Sequence, residues 1–527
     1  MSWDPRDEHA DYVIIGGGSA GCVAAGRLSS DPAVRVLLLE RGTDVSGDER
    51  LHVQTYNDIL PSSPLEFLPI ETLFTRERKL PSGHTVTYVS RAMGGGPAIS
   101  GSMWGRADPS NYDEWAALGN AGWSYEELLP YFRAAESYRD LFDPGQPVSE
   151  ERGLTGPIQV ASVDENHPVL RVLLETASRA FELPRRRDYS TREGIEGFFP
   201  MQRNLGHDAS SPRRSTPYTA YVQPHLAREN LRVVDMATVV RIHIDPASRR
   251  AQRVEYLHNG TTCMASAGRE VLLCAGAVNS PKVLLQSGIG PPEELGRLGI
   301  SVQLDLPGVG RNLQDHLVLP LAFRTDPATL PAQTSSSPIL IGFLRSPGSR
   351  WVDLEVMATI KPPDHLLVFI ANLRTEAAGC VRLTSADPLV PPWIELNADP
   401  SGADAEKLIA LARRVRRWVT EERLAGAELV PGLATVPIDA SEAHWRMWLG
   451  VRLKGLYHPA GTCRMGPTGD PASVVDAELR VHGIPNLRVA DCSIMPRVVA
   501  AHPSATAVMI GEKLAAMVEA TRRASAA

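Results

Sequence analysis

Cysteine is scarce in this chain, with six in 527 residues and none in a C-x-x-C pair. That excludes a disulfide framework and gives no zinc-ligand spacing. Cys22, Cys263, Cys274, Cys380, Cys463 and Cys492 are expected as small buried apolar residues. Long apolar runs are missing too. None approaches the roughly 18 residues that would suggest a membrane span. The opening Met1–Glu8 is polar and lacks the apolar core of a signal peptide, so a cytoplasmic location is the expectation. Positive charge is not in excess. Lys and Arg total 54 against 61 Asp and Glu, a net charge of −7, which argues against a nucleic-acid partner. There is no internal repeat and no extended low-complexity tract. What remains is an ordinary soluble composition, 43% apolar and 22% charged, in a chain long enough for two closely connected domains.

The most informative stretch present is Asp11–Gly21, a buried-strand pattern running into Gly16-x-Gly18-x-x-Gly21. The first glycine allows a tight turn and the second lets backbone approach a pyrophosphate. The third lets helix and strand pack closely. The following helix, starting at Ser19 and Ala20, would turn unpaired N–H groups and a positive dipole toward the phosphates. A second strand, Val36–Leu39, ends at Glu40, near the spacing expected for a carboxylate on a ribose hydroxyl. Strand, glycines, helix, strand and acid in this order read as a dinucleotide site.

Beyond Glu40, residues 44–90 read as irregular, with Pro61, Pro64, Pro69 and Pro81, and so as a functional loop or lid. Arg91–Pro97, with Gly94 and Gly95, reads as another close backbone approach. Ser124 with Glu127 predicts a capping box opening a helix through Phe132. Asn230–Val234 and Glu270–Cys274 read as strands, the latter running into Ala275-Gly276. Residues 318–450 change grammar. Pro331 and Ser335–Pro338 punctuate alternating or apolar segments such as Val352–Val356 and Leu366–Ile370, which suit an antiparallel sheet with one face covered. A helix around Ala405–Val419 interrupts them. The α/β grammar returns with the strand Leu487–Ala490, ending at Asp491, and a helix over Ser504–Ala520.

Four regions together resemble the glucose–methanol–choline oxidoreductases, a family of flavoenzymes that oxidise alcohols. They are the opening motif with Glu40; Arg91–Gly96 through Tyr112-Asp113-Glu114-Trp115; Gly276–Gly290 continuing into Leu306–His316; and His458–Gly466 through Asp491–Pro496 to His502-Pro503. The resemblance covers nearly the full length. It implies an α/β fold, with a Rossmann-like FAD-binding domain assembled from discontinuous segments 1–158, 213–317 and 453–527. A substrate domain from 159–212 and 318–452, α+β and built on an antiparallel sheet, would be inserted between them. It implies FAD contacts from Gly16, Gly18, Ser19, Ala20, Gly21, Glu40 and Arg41. Further contacts would come from Arg91, Gly94, Gly95, Ser100 and Gly101, then from Val239 (through backbone to adenine), Ala275 and Gly276. Asp491, His502 and Pro503 complete the set. Ser100 stands where the family usually has asparagine. Ile99 stands where some members carry a histidine bonded to the flavin, so the FAD is expected to be noncovalent.

The resemblance makes His458 the catalytic base and His502 the second active-site residue, on the substrate oxygen. The chemistry agrees, since a neutral imidazole with an ordinary pKa of about 6.5 suits removal of a hydroxyl proton. Pro503 at the first turn of the last helix is tolerated there and leaves a positive helix terminus beside His502. Asp315-His316 is an apparent acid–base pair, but adjacent residues rarely face one site, and by the family motif it falls in a structural turn. Arg185–Arg187 reads as a solvated face. The expected partners are a small-molecule alcohol and oxygen or another electron acceptor; no metal is expected. The rival function is an FAD-containing lyase of the cyanohydrin-cleaving type, with a structural flavin. A binding protein with a silent flavin and a nicotinamide enzyme are the weaker readings. Which alcohol is used depends on the walls from 318–450, which match the family least.

Overall fold

The computed structural model describes residues 7–48, 73–80, 83–141, 145, 147–163, 166–207, 213–332, 339–396, 402–429 and 440–526. Val13, Ile14 and Ile15, and Val36 to Leu39, are buried, as strands covered on both faces require. Asp7–Ile15 lies in a seven-stranded sheet, parallel to Val36–Leu39 on one side and to Thr261–Leu273 on the other. Leu231–Val234 extends the sheet beyond Val36–Leu39, and Leu487–Val489 pairs in parallel with the end of Thr261–Leu273. The first half of that long strand pairs antiparallel with Ala251–His258, which pairs with Ala237–Ile244. The sheet therefore draws on the beginning, middle and end of the chain, which is the Rossmann-like architecture the glycine motif implied. Helix Ser504–Ala526 packs back onto helix Ser19–Leu28, so closely that a Cβ on Gly511 would lie 2.8 Å from the Ala20 Cα.

A second seven-stranded sheet is antiparallel throughout, in the order 425–429, 317–325, 365–372, 354–361, 340–344 and 197–200. Lys454–Gly455 pairs with the start of 317–325. Alternation sorts its two faces. Leu354, Val356, Ala358 and Ile360 join Leu366, Val368 and Ile370 against Leu173 and Leu408 of helices Pro168–Ala180 and Ala403–Glu421. Glu355 and its cross-strand partners Phe343 and Ala371 share the opposite face, where Phe343 and Ala371 join the core of the dinucleotide sheet.

The expected elements are present, with shifted ends. The strand expected at Val352 starts at Leu354, and helix Tyr125–Ala135 carries the Ser124–Glu127 capping box. One expectation is corrected. Within 44–90, Leu73–Leu80 and Gly83–Val89 form an antiparallel hairpin that joins Trp393–Glu395 and Cys380–Arg382 in a four-stranded sheet. The prolines that suggested irregularity, at 61, 64, 69 and 81, lie outside the described residues, as does Ser335–Pro338. Among the described residues no helix is long and apolar enough to cross a membrane, and no cluster of His, Cys, Asp and Glu could hold a metal ion. All six cysteines are free, and all but Cys492 are buried.

Candidate active site and dinucleotide cleft

Three strand ends converge at one edge of the parallel sheet, where ligands of open α/β folds collect. Gly16, at φ +101°, turns the chain against the middle strand, and a Cβ there would lie 2.5 Å from the Cys274 carbonyl oxygen. At Gly21 a Cβ would lie 1.9 Å from the Gly16 oxygen, so helix and loop touch through backbone alone. Gly18 differs, since a Cβ there would meet nothing nearer than the Cys274 oxygen at 3.8 Å. Gly276, at φ +83°, also borders open space, with no atom within 4 Å of its Cβ position. Gly18 caps helix Ser19–Leu28 without a side-chain bond to the first-turn amides, leaving donors for an anion. Gly94 donates its N–H to the Gly17 oxygen at 2.8 Å, and a Cβ on Gly95 would sit 2.8 Å from the Gly18 Cα, so the second glycine run packs on the first.

Glu40 is buried, and each carboxylate oxygen accepts a loop amide, from Gly17 at 2.6 Å and from Gly42 at 2.7 Å. Burial pushes its carboxyl above the usual range against those bonds. Its visible role is to clamp the glycine loop to the end of the second strand. Each oxygen keeps a lone pair for a ribose hydroxyl. Asp491 acts in the same way. It accepts from the Gly276 amide at 2.9 Å, from the Ser280 hydroxyl at 2.6 Å and from the Ser493 amide at 2.7 Å. Ala275 donates its amide to the Ser280 hydroxyl at 3.1 Å. Beside the cleft mouth, Arg41 Nε is buried without a partner, and burial, then the Arg91 charge, hold the Arg41 guanidinium below its ordinary pKa. Paired cations with an unsatisfied donor call for an anion. Ser100 ends the short helix Gly96–Ile99, and its hydroxyl accepts from the Ser102 amide at 3.2 Å, with Gly101 between them. Val239 stands on strand Ala237–Ile244, half-buried against the core. A diphosphate nucleotide suits this cradle of open glycine faces, bare helix amides and arginines.

His458 and His502 meet with ring centroids 4.5 Å apart at an interplanar angle of 68°. Tyr457, at φ +63°, holds a backbone conformation rare for a bulky residue directly before His458. Asp315 Oδ1 accepts the His458 amide at 2.9 Å. The His458 ring packs edge-on against His316, their Nδ1 atoms 2.9 Å apart. Burial, then the His502 and His316 charges, hold its pKa well below 6.5. His502 lies just before Pro503 and the helix that starts at Ser504. Its Nε2 meets Glu355 Oε1 at 3.1 Å, and the Glu355 side chain is fully buried with Oε2 unpaired.

Sequence reasoning missed three of these contacts. Glu355 is a lone acid in an apolar strand, a signal that gains meaning only when the sheet sets it opposite His502. The pair set aside as a structural turn, Asp315-His316, does touch His458. The adjacency rule fails because Asp315 uses the His458 backbone while His316 uses its ring. Arg185 and Arg186 reach Glu175 and Glu193 at 4.0 and 3.8 Å near the surface, as a solvated face would.

Burial of His316 sets a pH dependence of stability. An unfolded histidine takes a proton near pH 6.5, whereas burial pushes folded His316 down to about 3. Between those values the unfolded chain binds the extra proton, so stability falls as pH falls, by about 1.4 kcal/mol per pH unit. Unfolding free energies from urea titrations between pH 5.5 and 4 should show this slope, reduced by about that amount in His316→Asn. An equal slope in both proteins would refute the assignment.

A dinucleotide cradle and two juxtaposed imidazoles in one chain fit the class of enzymes that combine a bound nucleotide with acid–base side chains. The comparisons with known proteins make the class specific. Two family models described as GMC oxidoreductase match residues 10–318 and 375–511. Mitochondrial choline dehydrogenase of Homo sapiens is 33% identical over 98% of this chain and 90% of its own length. A GMC-type oxidoreductase of Mycobacterium tuberculosis is 35% identical, over 97% and 99% respectively. Among solved structures, pyridoxine 4-oxidase from Mesorbium loti matches with a TM-score of 0.81 at 27% identity, covering 97% of this chain and 99% of that one. Formate oxidase of Aspergillus oryzae matches with a TM-score of 0.86 at 25% identity, covering 99% and 100%. The chain belongs to the GMC oxidoreductase family. Its cofactor is FAD, and its chemistry is flavin-dependent oxidation.

Proposed function

We propose that this protein oxidises an alcohol to an aldehyde or ketone, with His458 as general base. The observation that carries the reading is the His458–His502 contact, 4.5 Å between ring centroids. His458 is kept neutral by burial and so offers a lone pair to the hydroxyl proton. His502, anchored through Nε2 on Glu355, holds the substrate oxygen. Bound FAD supplies, at its N5, the acceptor for the hydride leaving the same carbon. The N-terminus of helix Ser504–Ala526 places positive dipole beside this centre. Ile99 offers no atom for a covalent link, so the FAD is held noncovalently by the glycine loops, Arg41 and Arg91. Residues 1–158, 213–317 and 453–527 form the FAD domain in this reading, and 159–212 with 318–452 the substrate domain. The two large sheets follow that division except where Lys454–Gly455 pairs with the start of strand 317–325. Choline and pyridoxine, named in two relatives, both bear a hydroxyl group. Oxygen or another acceptor takes the electrons afterwards.

The test is an anaerobic panel of alcohols mixed with the yellow holoenzyme. Bleaching with formation of the matching carbonyl product is expected for at least one alcohol. Product from a cyanohydrin with the flavin still yellow would replace this reading with the lyase.

A further inference from the structure

We propose that His316 is a positioning residue that fixes the tautomer of His458, so that Nε2 is the atom that accepts the hydroxyl proton. The proposal rests on the reading of His458 as the base. It starts at Val499, whose carbonyl oxygen lies 3.0 Å from His316 Nε2. A carbonyl only accepts, so His316 Nε2 carries a hydrogen. The two Nδ1 atoms of His316 and His458 lie 2.9 Å apart, a distance that requires one hydrogen between them. If His316 supplied it, that ring would be doubly protonated in a fully buried position. Burial pushes its pKa down to about 3, so the ring is neutral and its Nδ1 is a bare lone pair. The hydrogen therefore belongs to His458 Nδ1. A neutral His458 with its hydrogen on Nδ1 has Nε2 unprotonated. When Nε2 takes the substrate proton, the Nδ1–H bond to His316 persists and is strengthened by the new positive charge.

The segment carrying His316 is built to hold this alignment. Gln314 and Ala460 exchange amide bonds in both directions, at 3.0 and 2.9 Å, and Leu456 donates to the His316 oxygen at 2.8 Å. With Asp315 on the His458 amide, residues 314–316 grip the 456–460 loop through its backbone on both sides of the base. His458 thus has its ring and its main chain fixed by adjacent residues of one segment.

Two variants and one spectrum test this. His316→Phe keeps ring volume but offers no lone pair. His316→Asn restores an acceptor near the Nδ1 position. Anaerobic flavin reduction by a substrate alcohol should slow on the order of a hundredfold in the Phe variant, with little change in KM, and recover most of that in the Asn variant. Nitrogen-15 spectra of the holoenzyme, with His458 assigned by mutation, should show its hydrogen on Nδ1 in the wild type and a shift toward Nε2 in His316→Phe. A wild-type His458 with its hydrogen on Nε2 would overturn the proposal, as would an Asn variant as slow as the Phe variant. The spectrum needs no turnover. A protein that bleaches with no alcohol would therefore fail the function while the tautomer is still decided.

Discussion

Replacing His458 with alanine is expected to slow alcohol-dependent flavin reduction by about 10²–10⁴-fold while the protein stays yellow. The effect is large because no other neutral base occupies its place. His316 has Nε2 bound to Val499 and Nδ1 facing His458. His502 has Nε2 on Glu355. Glu355 itself is sealed from solvent. Colour should survive, because the His458 ring packs on His316 and His502 rather than on the glycine loops, Arg41 or Asp491 that shape the cofactor cleft. Added imidazole should restore part of the rate by entering the space the side chain leaves. Stopped-flow absorbance under anaerobic conditions gives the rate. An undiminished rate in His458→Ala would remove histidine from the role of base. His502→Ala should behave differently, since it leaves the Glu355 carboxylate buried without its partner and so lowers stability together with rate.

The parts of this molecule legible from sequence are those where sterics or periodicity act locally. Each glycine of the opening motif has a reason visible in the strand–turn–helix pattern, and the structure gives each its own geometry. The antiparallel sheet was legible because Leu354, Val356 and Ala358 alternate with residues of the other face. Contacts that depend on register across the chain were not legible. Nothing local says that Glu355 will meet His502, because the meeting requires the inner face of one sheet to be laid over the edge of another. The hairpin Leu73–Val89 was hidden by the prolines around it. Glu40 shows a subtler limit. Its spacing pointed to a carboxylate for a ribose hydroxyl, but spacing could not reveal that both oxygens hold the loop amides of Gly17 and Gly42.

The second large effect separates two glycines of one motif. Gly18→Val should leave the apoprotein folded and abolish FAD binding, whereas Gly21→Ala should damage the fold itself. At Gly18 the backbone is at φ −80°, open to any residue, and a Cβ has no neighbour within 3.8 Å. The added Cβ therefore clashes with no protein atom, and the side chain it carries fills the approach where a pyrophosphate is expected to lie against the helix terminus. A loss of at least hundredfold in FAD affinity, about 3 kcal/mol, is expected. At Gly21 even a methyl group would sit 1.9 Å from the Gly16 oxygen, and backbone cannot rotate away as a side chain can. Overpacking of this kind costs about 1–3 kcal/mol and more when backbone must move. The comparison has to be made on apoproteins, because bound FAD would itself stabilise the wild type and mask the difference. Circular dichroism and thermal melting without FAD, followed by titration with FAD, give both quantities. Stoichiometric binding by Gly18→Val would show that the nucleotide does not lie on this loop. Equal unfolding of the two variants would show that the open space beside Gly18 is needed by the protein rather than by its cofactor.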